Sequence, residues 1–380
     1  PDLLPKPAYL DLIASLNRQQ RDIVSHVAHH VRHGDDRPDS SLKLLITGVA
    51  GTGKSTLINA LYQTLVKFYD SQRDRDLSSV SVLLTGTTGK ASYNIGGQTI
   101  HSALSFPNFK MRNIERLSSD VANSMSVALH GLKFLIIDEV SMLSAKHFNF
   151  VDHRLQDIFH SNFPFGGVNV ILVGDFLQLR PIMATSIYCP STHRSYSNHA
   201  EFGLRTEYLY RLFSVVRLTE IMRQKDDVPY AVALTNMAYG RMTDVDIALF
   251  KTMTFSAVPE EFTSCSFDSS QPIRLYYMNG AVDVYNQEVL TKIDGEGFTC
   301  DAYDVVYGTG SFAQKQDALS AASKLSTQDT CNLASSLTLK LGMVYMVSYN
   351  VDTGDGLING TVGTLKKIGY KHYKEDGVDV

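Results

Sequence analysis

The chain predicts an α/β fold built on a parallel, helix-covered sheet, and three observations carry that prediction. Leu44–Leu57 reads LLITGVAGTGKSTL, so an apolar strand, a glycine loop and the start of a helix follow one another directly. Three further apolar runs, Val80–Thr85, Leu132–Ile137 and Val168–Val173, each end in small or acidic residues, as strands buried on both faces do. Helical patterns separate the runs, and right-handed crossovers through such helices bring the strand ends to one edge, where loops build sites.

At 380 residues the chain exceeds one ordinary core, so two domains are expected. Apolar residues at 44% and charged residues at 19% are those of a globular protein. A formal net charge of −4 excludes bulk positive charge as the means of holding nucleic acid, and any such contact must come from local geometry. Cys189, Cys265, Cys300 and Cys331 have no paired spacing for zinc or redox chemistry and point to a reducing compartment. No run approaches the length of a membrane span and no signal-peptide pattern opens the chain, so an intracellular setting is expected. Because it begins at Pro1, a fragment or a processed product is expected.

Taken in order, residues 1–16 carry Pro1, Pro5 and Pro7 and read as an extended lead-in, and Asn17–Val31 reads as a short helix. The strand Leu42–Thr47 and the phosphate-loop unit follow, with Leu57, Ile58, Leu61, Leu65 and Phe68 at helical spacing. Val80–Thr85 ends in the cluster TGTTGKAS. The polar, irregular stretch from Phe106 to Val127 reads as an insertion on the sheet. Leu132–Ile137 ends in Asp138-Glu139, Ala145–Ile158 reads as a helix, and Val168–Val173 ends at Gly174-Asp175. A second unit is expected to start near Val215, with a strand at Val215–Thr219 and helices at Val228–Tyr239, Val245–Phe250 and Ala281–Leu290. Gly308–Thr330 reads as a mobile connection, and Leu337–Ile368 alternates in short β-rich segments expected to form a small barrel-like module.

The chemistry gathers at the strand ends. Gly48, four residues, then Gly53-Lys54-Ser55 is the spacing of a loop whose backbone N–H groups cradle phosphates, and a nucleoside triphosphate fits it. Lys54 would reach the outer phosphates as a point charge, and the Ser55 hydroxyl would help hold Mg²⁺. Asp138 would bind the metal directly or through water, and Glu139 would orient or deprotonate a water. Gln178, four residues after a strand end, could feel the γ-phosphate. Arg223, in LTEIMRQ, could reach the same phosphate as an arginine finger or serve as an ordinary surface charge.

These pieces in this order resemble the Pif1-type branch of superfamily 1B DNA helicases, related more distantly to RecD. The resemblance runs through LNRQQ (Leu16–Gln20), GVAGTGKST (Gly48–Thr56), TGTTGKASYNIGGQTIHS (Thr85–Ser102), IIDEVSML (Ile136–Leu143), FGGVNVILVGDFLQLRPI (Phe165–Ile182), LTEIMRQ (Leu218–Gln224) and LKLGMVYMVSYNVDTGDGLINGTVG (Leu339–Gly363). It implies a P-loop NTPase of RecA-like sheet domains. The first would span 1–214 with an insertion near 106–127, the start of a second would span 215–300, and a linker with an incomplete β-rich, SH3-like accessory segment would span 301–380.

The resemblance further implies that ATP lies on Gly48, Val49, Ala50, Gly51, Thr52, Gly53, Lys54, Ser55 and Thr56, with Gln20 reading the adenine edge. Thr85, Thr88, Gly89 and His101 would lie along single-stranded DNA and Phe106 would stack a base, though His101 and Phe106 also suit structural roles. Glu139 would be the hydrolytic base, Gln178 would couple phosphate state to DNA grip, and Arg223 would close from the second domain. The implied activity is ATP- and Mg²⁺-dependent 5′–3′ translocation and unwinding of single strands and forks by a monomer, in repair, recombination or telomere maintenance, and in the nucleus or mitochondrion of a eukaryote. Departures are Arg180-Pro181 in place of two prolines, LYYMN at Leu275–Asn279 in place of a threonine-containing turn, and no sign before Val380 of the last two helicase motifs. One rival is therefore a truncated or degenerate module that binds ATP and DNA without productive unwinding. Another is a phosphotransferase, which would need an acceptor site and a lid.

Overall fold

The computed structural model of the protein describes residues 1–34, 37–72, 79–106, 117–190, 200–254, 274–293, 295–308, 310–325, 330, 333–349, 351–352, 355–369, 374–375 and 378–379. The chain forms two compact units, Pro1–Ala257 and Val258–Val380.

In the first unit the strands are β1 (Lys43–Gly48), β2 (Val82–Gly86), β3 (Gln98–Thr99), β4 (Phe134–Asp138), β5 (Asn169–Gly174) and β6 (Ser214–Leu218), and they make one sheet in the order β3-β2-β4-β5-β1-β6. Every pairing is parallel, with Leu45 of β1 opposite Leu172 on one side and Val215 on the other. The two-residue side-chain period of a strand divides β1 between two cores. Leu44 and Ile46 face α2 (Arg18–His33) and α3 (Lys54–Asp70) through Ile23, Val24, Val27, Leu57, Ile58, Leu61 and Leu65. Leu45 faces α7 (Ala145–Phe159) through Phe148, Val151, Leu155 and Ile158.

Several expectations change here. The strand at Ser214–Leu218 pairs with β1, so the stretch expected to open a second domain closes the first sheet, and the units divide at Ala257 instead of near Val215. Residues 1–16 are not an extended lead-in but contain the helix α1 (Lys6–Ser15), because a proline in the first helical turn forfeits only an N–H that has no partner there anyway. This helix is tied to α3 by the Tyr9 and Thr64 hydroxyls at 3.0 Å, and the segment leading into it by Leu4 N to Gln63 Oε1 at 2.9 Å. The part of the expected insertion that is described includes α6 (Ser119–Leu129), whose Leu129 enters the core beside α7; residues 107–116 lie outside the described residues.

In the second unit the helix Asn279–Lys292 matches expectation. The stretch read as a mobile connection carries the helix Phe312–Ala322, closed at its start by a reciprocal Ser311–Gln314 capping box. β7 (Phe298–Asp301) pairs with β8 (Ser336–Leu339) and β9 (Val344–Met346) with β10 (Val362–Thr364), both antiparallel. Among the described residues these remain two-stranded pairs and do not close a barrel, since strands of three or four residues with mostly exposed side chains have little to bury. Cys189 is half-buried, Cys300 is exposed, and Cys265 and Cys331 lie outside the described residues.

FGG of the family-like run turns out to be a scaffold turn: Phe165 is fully buried at φ 56°, and Gly166 and Gly167 follow at φ 64° and 82°. Phe165 N donates to the buried carboxylate of Asp152 at 2.6 Å, which Arg205 also pairs. Beneath lies Lys43, whose ammonium donates to Val168 O at 2.8 Å and sits 5.7 Å from the Phe165 ring. Burial lowers its pKa from 10.5 to about 8, against an opposing pull from Asp152. The folded state therefore gives up this proton before the unfolded chain does, and the cost of burying the charge is full below pH 8 and fades as pH rises towards 10.5. We predict that the stability of the protein relative to Lys43→Met rises between pH 8 and 10.5, by at most about 3 kcal/mol, in urea unfolding at each pH. A pH-independent difference contradicts this.

Candidate active site

The edge formed by the carboxyl ends of β1, β4 and β5 holds a cavity of about 470 Å³. Its walls include Ala50, Gly51, Gly53, Lys54, Ser55 and Thr56 of the glycine loop, Asp138 and Glu139 from the end of β4, Gln178 from beyond β5, and Met222 and Arg223 from beyond β6. These four segments far apart in sequence thus share one concavity, and it contains all four residues expected to be catalytic and both expected metal ligands.

Gly51 and Gly53 adopt φ 85° and 76°, which L side chains rarely tolerate, so the loop turns back on itself before α3 begins at Lys54. The carbonyls of the loop find partners elsewhere in the chain. Gly51 O accepts Met222 N at 2.7 Å and Arg223 N at 3.0 Å. Gln20, only 2% exposed, donates from Nε2 to Thr52 O and Gly53 O at 3.2 and 3.3 Å. Its Oε1 accepts Asn17 N at 3.0 Å while its own N donates to Asn17 Oδ1 at 2.9 Å, a capping box that starts α2. Gln20, expected to read the adenine edge, also braces the loop through both ends of its amide. Gly48, Val49 and Thr52 are not among the residues lining the cavity: Lys54 Nζ donates to Gly48 O at 2.8 Å and to Val49 O at 3.3 Å, and the buried Thr52 hydroxyl donates to Val49 O at 2.9 Å.

Burial lowers the Lys54 pKa, and the carboxylates of Asp175, Glu139 and Asp138 counter that while Arg223 adds to it. Asp175 went unassigned in the sequence. It is buried, and it holds Gln178 by accepting Gln178 Nε2 at 3.0 Å and Leu177 N at 3.1 Å. Its position three residues before Gln178 at a strand end was the available signal. Asn94 of α4 (Gly89–Asn94) also lines the cavity and carried no chemical signal of its own.

Asp138 is buried, and burial pushes its pKa up to about 6 against the pull of the Glu139 N–H, which donates to its Oδ1 at 2.8 Å. Glu139 sits at φ 54°, ψ 42°. For an L residue that left-handed conformation costs roughly 1–2 kcal/mol, about the net worth of one or two hydrogen bonds at ~1 kcal/mol each. Among the described residues no group of three His, Cys, Asp or Glu side chains could hold a metal alone. The donor chemistry suits an Mg²⁺ ion nevertheless: the Ser55 hydroxyl and the Asp138 carboxylate are hard oxygen donors lining the cavity, and that ion keeps waters and phosphate oxygens for its other positions.

The residues expected along DNA fare unevenly. Thr85 is fully buried and its hydroxyl donates to Ile136 O at 3.0 Å inside the sheet, so it has no reach to a phosphate. Thr88 caps α4 by accepting Ala91 N at 3.1 Å, and Gly89 is its first residue, buried beneath it. His101 lies on α5 (Ile100–Ala103), its ring 5.3 Å from Phe106 and 4.9 Å from His147. Phe106 also meets Phe150 at 5.4 Å and leans on the core, so packing accounts for its position without a base. Arg223 belongs to the first unit, on the glycine loop itself, rather than to a second domain reaching across.

Comparison with known proteins agrees with this arrangement. Residues 15–237 match the family model described as PIF1-like helicase. The chain belongs to the PIF1-like helicase family. It is 28% identical over 329 residues to the ATP-dependent DNA helicase PIF1 of Candida albicans, covering 86% of this chain and 33% of that protein. The ATP-dependent DNA helicase PIF1 of Emericella nidulans is also 28% identical, over 325 residues, 85% of this chain and 39% of the relative. The chain thus spans between a third and two fifths of the length of these two relatives. The crystal structure of Pif1 helicase from Candida albicans superposes with a TM-score of 0.60 at 25% identity, covering 93% of this chain and 69% of that one. That of Pif1 helicase from Bacteroides in complex with ADP-AlF3 and ssDNA gives 0.64 at 21%, covering 93% and 70%, and supports the fold.

A Cβ on Gly51 would fall 2.7 Å from Gln224 Oε1 and 3.0 Å from Arg223 Cβ. Gly51→Ala is predicted to lower affinity for fluorescent ADP at least about tenfold, or 1.4 kcal/mol, with the far-UV spectrum unchanged. Undiminished affinity contradicts the loop geometry given above.

Proposed function

We propose that this chain is the motor portion of an ATP-dependent DNA helicase that moves 5′ to 3′ along single-stranded DNA and opens forks. The observation that carries the reading is the single cavity shared by the glycine loop, Asp138-Glu139, Gln178 and Arg223. ATP would lay its phosphates on the backbone N–H groups around Gly51–Ser55 and the start of α3. Lys54 would leave the Gly48 carbonyl for the outer phosphates, exchanging one oxygen partner for a charged one. Mg²⁺ held by Ser55 and Asp138 would neutralise phosphate charge. Glu139 would take the proton of the attacking water, Gln178 would register the γ-phosphate from its seat on Asp175, and Arg223 would stabilise the charge that develops in transfer. Single-stranded DNA would pass over the loop from Gly86 to Gly89 and the start of α4. DNA sets the compartment, the nucleus or mitochondrion in a eukaryotic cell, and the work is that of repair, recombination or telomere maintenance, carried out by a monomer. Among the described residues no helix is long and apolar enough to cross a membrane.

One observation favours the second reading, a module that binds nucleotide and strand without unwinding. Among the described residues of the second unit, Ile358 is the one fully buried large apolar side chain, whereas Leu275, Tyr277, Tyr307 and Phe312 are each more than three-quarters exposed.

Steady-state ATP hydrolysis with and without single-stranded DNA separates the readings. DNA is predicted to raise kcat at least about tenfold, and Glu139→Gln to lower it by about 100-fold or more while ADP still binds. Lys54→Ala is predicted to lose both. Turnover that stays flat with DNA, with nucleotide bound, overturns the motor reading, and DNA-stimulated turnover without strand separation on a fork selects the second.

A further inference from the structure

The left-handed backbone of Glu139 has to be held, and four hydrogen bonds hold this turn among the described residues. Two are its own: Glu139 N to Asp138 Oδ1 at 2.8 Å and Met142 N to Glu139 O at 3.1 Å. The other two come from one residue of a different segment. Thr87 Oγ1 donates to Glu139 O at 3.0 Å, and Thr87 N donates to Asp138 O at 3.3 Å. Thr87 is half-buried, directly after β2, and Thr88 and Gly89 next to it open α4, whose Ala91 and Asn94 line the nucleotide cavity.

This threonine is therefore at once part of the loop read as carrying the nucleic-acid strand and the outside support of the residue read as the hydrolytic base. We propose that Thr87 is a positioning residue that transmits strand engagement to hydrolysis, by fixing the Glu139 peptide in its left-handed conformation when the loop is held. The inference rests on the helicase reading above and deepens it. The strain at Glu139 is comparable to one or two hydrogen bonds, so losing a single hydroxyl contact shifts the balance between the left-handed peptide and a relaxed one. A relaxed peptide re-aims the carboxylate without altering the glycine loop, so turnover should change while nucleotide binding does not. Neither Thr85, sealed in the sheet, nor Thr88, turned onto α4, makes such a contact.

The test is Thr87→Val, which keeps the shape and removes the hydroxyl, beside Thr87→Ser, which restores it; Thr87→Ala gives the same readout if valine does not fold. ATP hydrolysis is measured against single-stranded oligonucleotide concentration at saturating ATP. ADP and oligonucleotide affinities are measured separately by anisotropy. The valine variant is expected to lose about fivefold to tenfold of its DNA-stimulated kcat at saturating oligonucleotide, with KM for ATP and ADP affinity within twofold of the parent, and serine is expected to recover kcat to within twofold. A valine variant with full DNA-stimulated kcat overturns the coupling, as does a loss confined to ATP KM or DNA affinity, or a serine variant as slow as valine. A parent that DNA does not stimulate overturns the helicase reading and the coupling together, whereas a stimulated parent with an indifferent valine variant overturns the coupling alone.

Discussion

A loop that offers its N–H groups to an anion must turn its carbonyls the other way, and those carbonyls need donors. Here the donors come from two distant segments. The backbone N–H groups of Met222 and Arg223 meet Gly51 O, and the Gln20 amide meets Thr52 O and Gly53 O. Gln19 closes the triangle by accepting the N–H and hydroxyl of Thr219 at 3.0 and 3.1 Å. This brace requires β6 to lie beside β1, which is why the stretch carrying Arg223 belongs to the sheet that carries the phosphate loop. It also holds Arg223 at the cavity before any nucleotide arrives.

Electrostatics follow from the same crowding. Lys54 and Arg223 share the cavity with Asp138 and Glu139, and Asp175 lies close enough to be the largest charge acting on Lys54. In this arrangement the ammonium rests on loop carbonyls and the carboxylates compensate its burial. Phosphate oxygens offer the same cation stronger acceptors, so a nucleotide gains from displacing those contacts. The raised pKa of Asp138 has the same origin: burial takes its carboxylate out of water.

Much of this was legible in the sequence because its signals are local. β1, β2, β4 and β5 lie within two residues of the apolar runs that predicted them, and the glycine spacing located the loop. Partnership between strands is not local, so nothing in Val215–Thr219 itself told which sheet it would join. The helices at Lys6–Ser15 and Phe312–Ala322 were hidden by prolines and by weak apolar periodicity, though Ser311 and Gln314 stand at capping-box spacing. Thr85 shows a second limit. A polar side chain near a site reads as a ligand, yet burial against a strand carbonyl uses it up. The family resemblance, spanning nearly the whole chain, identified these same segments as a set before their geometry was known.

The most direct measurement of the central claim is a crystal structure of this protein with Mg²⁺, ADP and aluminium fluoride. The fluoride is expected on the backbone N–H groups of Gly51–Ser55, Lys54 Nζ moved from Gly48 O onto it, and the Arg223 guanidinium in contact, with Met222 N and Arg223 N still on Gly51 O. A fluoride bound without Arg223, or a loop released from residues 222–223, would contradict it.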